Sequence, residues 1–127
     1  TTLAEICFST MFYYCTSLQF APELHAETLA PYCYSLMFQG CTALTTAPKL
    51  KATTLVNNCY QYMFYLCSNL KNITMLATDI SATDCLKEWV KEVPSSGGTF
   101  TKAAAMTSLP KGKSGIPSSW TVVDYTE

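Results

Sequence analysis

Seven cysteines fall into two series that share one period: Cys7, Cys33, Cys59 and Cys85 are each 26 residues apart, as are Cys15, Cys41 and Cys67. Methionine and phenylalanine keep the same register at Met11, Met37 and Met63 and at Phe12, Phe38 and Phe64. So do Leu18, Leu44 and Leu70, and Leu24, Leu50 and Leu76. Laid over Ala47 to Asn72, the segment Ala21 to Thr46 matches at 12 of 26 positions. A fixed period of this length points to stacked supersecondary units in which each unit buries its apolar face against its neighbours.

Within a unit, Leu29, Cys33 and Met37 form one row at a spacing of four, and Ala30, Tyr34 and Phe38 form a second row beside it. Rows of this kind match one face of an amphipathic helix. They predict helical turns near 3 to 14, 28 to 39 and 54 to 65, with a fourth near 82 to 92 as a divergent cap carrying Trp89. The segments Cys15 to Pro22, Cys41 to Pro48 and Cys67 to Thr74 hold fewer retained apolar positions. Proline in two of them stops a helix, so short parallel strands are expected there.

From Pro94 the repeat ends. Ser95-Ser96-Gly97-Gly98 reads as a turn, Thr99 to Ala104 and Trp120 to Tyr125 as strand candidates, and 110 to 119 as a Gly, Pro, Ser and Lys-rich loop. A capping β-element over 94–127 follows, behind a stack over 1–93. The chain opens on Thr1, partway through a unit, which predicts a piece of a longer protein. It also predicts an uncapped first coil able to pair two chains.

Charged residues make up 13% of the chain, about half the usual ~25%, and the net charge is −1. No basic stripe is present to neutralise phosphates, which argues against a nucleic-acid partner. No apolar run of about 18 residues exists to span a membrane. The cysteines form no Cys-x-x-Cys pair and His25 is the one histidine, so neither a metal site nor a cofactor is expected. Free thiols packed as small hydrophobes are the favoured reading, with a disulfide between the two series left open. His25 replaces Lys51 at a variable position and reads as an exposed bystander. No nucleophile elbow or phosphate loop appears, and no catalytic residue is assigned.

The run Met-Phe-x-x-Cys-x-x-Leu followed by Ala-Pro-x-Leu resembles the bacterial leucine-rich repeats of the BspA-like, Treponema-type class, over residues 1 to about 92. The segments Gly97 to Thr101 and Gly115 to Val123 look like the closing segments of surface repeat proteins from gut Bacteroidetes. The unit here is longer than the usual one of that class. The fold class expected is therefore α/β: a right-handed leucine-rich-repeat solenoid of 26-residue coils, with short parallel strands on one side, helices on the other and a C-terminal β cap. The resemblance implies an exported, noncatalytic adhesion or binding protein of the bacterial cell surface whose partner is a host protein or glycan. A stalk or spacer role is the alternative, and an enzyme a lesser one. Positions that vary between units mark the outward face, and Gln19, Phe20, Thr45, Thr46, Lys71 and Asn72 are the candidate binding residues. Tyr13, Tyr14, Tyr32, Tyr62 and Tyr65 are expected as further exposed aromatics.

Overall fold

The computed structural model describes residues 3–127. It corrects the expected fold class: among the described residues there is no α-helix, and the regular strands are three, all parallel, in one open sheet. The chain is therefore not an α/β leucine-rich-repeat solenoid. Strand β1 is Asn72–Met75, β2 is Ser96–Lys102 and β3 is Ser119–Asp124, in the order β1-β2-β3. Of the three strands expected in the repeat region, only β1 forms; the equivalent stretch of the preceding unit contributes single bridges, Thr46 with Asn72 and Leu50 with Met75.

Where helices were expected, the backbone makes overlapping tight turns. Cys33, Ser35, Met37, Gln39 and Cys41 donate their N–H groups to the carbonyls three residues back, and no i→i−4 ladder forms. The third residue of every second turn has a left-handed backbone: Tyr32, Leu36 and Gly40 in one unit, Asn58, Tyr62 and Leu66 in the next. The N–H groups of the even-numbered residues, left-handed ones included, point along the stack. Tyr32, Tyr34, Leu36, Phe38 and Gly40 donate to Asn57, Cys59, Gln61, Met63 and Tyr65 of the following unit. The same five-bond pattern joins Ile6 through Tyr14 to Pro31 through Gln39, and Asn58 through Leu66 to Thr83 through Lys91.

This geometry explains why helices do not form. The rings of Phe12, Phe38 and Phe64 stack at 5.5 and 5.8 Å, within 5° of parallel, whereas packed helices stand about 8–10 Å apart. Coils this close fit only if the backbone is nearly flat along the stack and half of its N–H groups bond across it. A left-handed non-glycine residue costs about 1–2 kcal/mol. In the first three units each such residue also donates one inter-coil bond, worth about 0.5–1.5 kcal/mol, and burial of the Met-Phe pairs tips the balance.

The core runs up the middle of the stack. Leu29, Cys33, Met37, Phe38, Cys41 and Leu44 are buried, as are their equivalents Leu55, Cys59, Met63, Phe64, Cys67 and Leu70. Phe8, Tyr34, Tyr60 and Trp89 make a second ladder of near-parallel rings. The C-terminal segment continues the stacking. The indole N–H of Trp89 donates to the Gly115 carbonyl at 2.8 Å and that of Trp120 to the Pro94 carbonyl at 2.7 Å, each across 26 residues. Residues 110–118 thus lie over the fourth coil, and β2 and β3 extend the sheet beyond β1.

Candidate functional site

The sheet alternates. Ile73, Met75, Phe100 and Trp120 point into the core, while Asn72, Thr74, Thr99, Thr101, Thr121 and Val123 lie on the outer face. The parallel register aligns Thr46, Asn72, Thr99 and Thr121 in one row across the sheet, and Thr74, Thr101 and Val123 in the next. Phe20 sits one unit before Thr46 at the equivalent position and is 84% exposed.

Gln19, Phe20, Thr45 and Thr46, four of the six candidate residues, line one shallow groove of about 180 Å³ together with Ala21, Ala47 and Pro48. Lys71 and Asn72 do not line it; they lie one unit further along, exposed, with the Lys71 N–H bonded to the Thr45 carbonyl and the Thr99 N–H to the Lys71 carbonyl. The face is built mainly of hydroxyls and amides around the Phe20 ring, with the Lys71 ammonium one unit beyond the groove. At the far end Lys49 places its ammonium 4.5 Å from the centre of the Tyr125 ring and donates to its hydroxyl at 2.5 Å.

Sequence reasoning missed Thr99, Thr101, Thr121 and Tyr125 on this face because the period of 26 that marked the other positions ends before β2, and Thr74 because it stands where the preceding units carry Pro22 and Pro48. The alternation Thr99-Phe100-Thr101 is the signal that could have found two of them. Of the tyrosines expected outside, Tyr13, Tyr14 and Tyr32 are exposed, while Tyr62 and Tyr65 are half-buried against each other.

A second concavity opens at the N-terminal end of the stack, about 290 Å³ and almost wholly apolar, between Leu3, Phe8, Met11, Leu24, Tyr34 and Met37. Glu23 and His25 stand at its rim, 3.6 Å apart and mostly exposed. The Lys51 ammonium, 2.8 Å from the Glu23 carboxylate, holds that carboxyl below its usual range.

The five buried thiols are held in the protonated form. Burial pushes Cys33 and Cys41 up to about 11 and Cys59 to about 12, and raises Cys67 further. All seven cysteines are free; Cys7 and Cys15 are the exposed two. Among the described residues no group of three or more His, Cys, Asp or Glu side chains is placed to hold a metal ion, and no helix is long and apolar enough to cross a membrane. Comparison of the chain with protein-family models, curated proteins and solved structures yields no match.

Proposed function

We propose that the chain is a noncatalytic binding module that recognises a protein or glycan through the outer face of its sheet, on the bacterial cell surface. The observation that carries this reading is Phe20, a large ring held in the open beside the Thr45 and Thr46 hydroxyls. An exposed aromatic among uncharged hydrogen-bonding groups offers contact area at low entropic cost and suits a neutral polar ligand. The surface location rests on the resemblance of the repeat to the BspA-like class. The supporting experiment screens the full chain against glycan and extracellular-matrix arrays, beside Phe20→Ala and Thr46→Lys. Binding that both substitutions weaken, with the unfolding midpoint unchanged, supports the reading. Binding that neither affects, or none across the arrays, counts against it.

A spacer role is favoured by a different observation, the unbroken axial ladder of backbone bonds and stacked rings from Phe12 to Phe64. Deleting one 26-residue unit separates the two readings. A spacer shortens and keeps its task, whereas a binding face that includes the groove loses affinity.

A further inference from the structure

The outer row of the sheet has a fixed pitch. Bridges and strand pairs set Thr46 opposite Asn72, Asn72 opposite Thr99 and Thr99 opposite Thr121. Phe20 lines the same groove as Thr46, one unit before it. Neighbouring strands stand about 4.8 Å apart, so the steps from Phe20 to Thr121 cover about 19 Å. A shorter row of Thr74 and Thr101 runs beside the first.

Every polar group in the longer row both donates and accepts: the hydroxyls of Thr46, Thr99 and Thr121 and the amide of Asn72. Asn69 and Thr78, off the row, spend their side chains on the carbonyls of Thr42 and Thr53. Among the described residues the side chains in the row make no bond of that kind to the protein. Threonine is β-branched and stiff about χ1, so its hydroxyl is held in place before a ligand arrives. No ionisable side chain stands in the row. The charges at its borders are Lys71, beside Asn72, and Lys102, which Asp124 already pairs.

These features choose among ligands. A strand from another chain has no place on the row, because β1 is bonded to both the preceding coil and β2, and β2 to both β1 and β3. A protein surface anchors on aromatic or apolar groups near the centre of its footprint, whereas here hydroxyls hold the centre and the Phe20 ring stands at one end. A phosphate- or sulfate-bearing chain finds no cation in the row to pair with. A neutral sugar chain matches the row instead. Its hydroxyls donate and accept as threonine does, the C–H face of a ring lies flat on an aromatic side chain, and an extended chain advances about one strand spacing per ring. Resting on the reading of the sheet face as the binding surface, we infer that the row seats a linear, uncharged oligosaccharide of about five rings, which stacks one ring on Phe20 and runs over Thr46, Asn72 and Thr99 to Thr121.

The test titrates the full chain, by calorimetry, with linear oligomers of glucose, of N-acetylglucosamine and of mannose, each from disaccharide to heptasaccharide. In the series that binds, affinity tightens roughly two- to tenfold with each added ring, as a hydrogen bond is gained, and levels off near the pentasaccharide. Thr121→Val removes the far hydroxyl and keeps the shape. It weakens the pentasaccharide by a similar factor and leaves the disaccharide unchanged, while Phe20→Ala weakens every length. Should Thr121→Val disturb β3, Thr99→Val repeats the measurement, with a loss that begins at the tetrasaccharide. A level response to length, a Thr121→Val loss shared by the disaccharide, binding confined to sulfated chains, or none in any neutral series would each overturn the inference. The face itself is judged separately. A matrix protein whose capture Phe20→Ala and Thr46→Lys weaken, with neutral sugars ignored, keeps the face as a binding surface and removes the sugar chain from it. Sugar binding that survives both substitutions places the site elsewhere and ends both readings.

Discussion

The thiol of Cys67 donates to the carbonyl of Phe38 at 3.0 Å, across 29 residues, and Cys41 makes the equivalent contact with Phe12 at 3.1 Å. That carbonyl is already taken by an N–H of its own coil, Cys41 on Phe38 and Cys15 on Phe12. The second cysteine series therefore ties the end of each run of turns to the coil before it, with a group small enough to be fully buried there. Cys67→Ala removes both the sulfur packing and the bond, and unfolding free energy falls by about 1–3 kcal/mol. Cys15→Ala, at the exposed copy, stays within about 0.5 kcal/mol. Urea denaturation of the two variants measures the difference; equal losses would mean the two copies are packed alike.

Alkali weakens the fold. Burial raises Cys33 and Cys41 from the ordinary thiol value of 9.0 to about 11, Cys59 to about 12, and Tyr34 from 10.0 to about 12, with Cys67, Cys85 and Tyr60 shifted the same way. The unfolded chain gives up these protons first, so it binds fewer protons than the native state once the pH passes about 9. The stabilisation is whole below that pH and is lost as pH climbs through 11 and 12. The urea midpoint falls steadily above pH 9 in reducing buffer. At pH 8, Ellman's reagent modifies Cys7 and Cys15 quickly and the other five cysteines only on unfolding. A midpoint that holds level to pH 11 contradicts the buried placement.

The turn geometry makes an unusual prediction about glycine. Glu92 is exposed with φ of 62°, a conformation that carries a cost of about 1–2 kcal/mol for a residue with a Cβ. Glu92→Gly relieves that cost and stabilises the chain by up to about 1 kcal/mol after the added entropy of the unfolded state. A helix ending at Glu92 would also accept glycine there, so the two backbones are discriminated by far-ultraviolet circular dichroism, in which the paired helical minima are absent from this fold.

The register of the stack is written in the sequence, because residues that meet along the axis must be alike: Phe12, Phe38 and Phe64 repeat because their rings lie on one another. The path of the chain between those points is not. Leu29, Cys33 and Met37 drift about 80° around a helix over two steps of four, which still falls inside an apolar stripe of about 100°, so a four-residue turn repeat and a helix leave the same rows. Glycine, asparagine or aspartate would have marked the left-handed positions, but in the coils only Gly40, Asn58 and Asp84 do so; the others are residues such as Ile6, Thr10, Leu36 and Tyr62. At the candidate site, divergence between units picked out Phe20 and Thr46, and Thr99 and Thr121 complete that row. They were illegible because no repeat carries past Pro94 and the pairing depends on where the tail folds back.

The C-terminal closure hinges on Trp89 and Gly115. Trp89 is fully buried between the Tyr60, Phe64 and Phe100 rings, and its indole N–H reaches the Gly115 carbonyl. A Cβ on Gly115 would lie 2.0 Å from the backbone oxygen of Pro110, which accepts the Ile116 N–H at 2.9 Å and cannot withdraw without breaking that bond. Trp89→Phe keeps the stacking but strands the Gly115 carbonyl, at about 1–3 kcal/mol; Gly115→Ala forces the loop apart at a similar or larger cost. Both accelerate hydrogen exchange at Glu88 and Val90, whose donors the 110–118 segment covers, while the amides of Tyr34 and Phe38 in the second coil keep their protection. Exchange mass spectrometry reads the two regions separately. Uniform acceleration along the stack would show instead that the tail and the coils unfold as one unit.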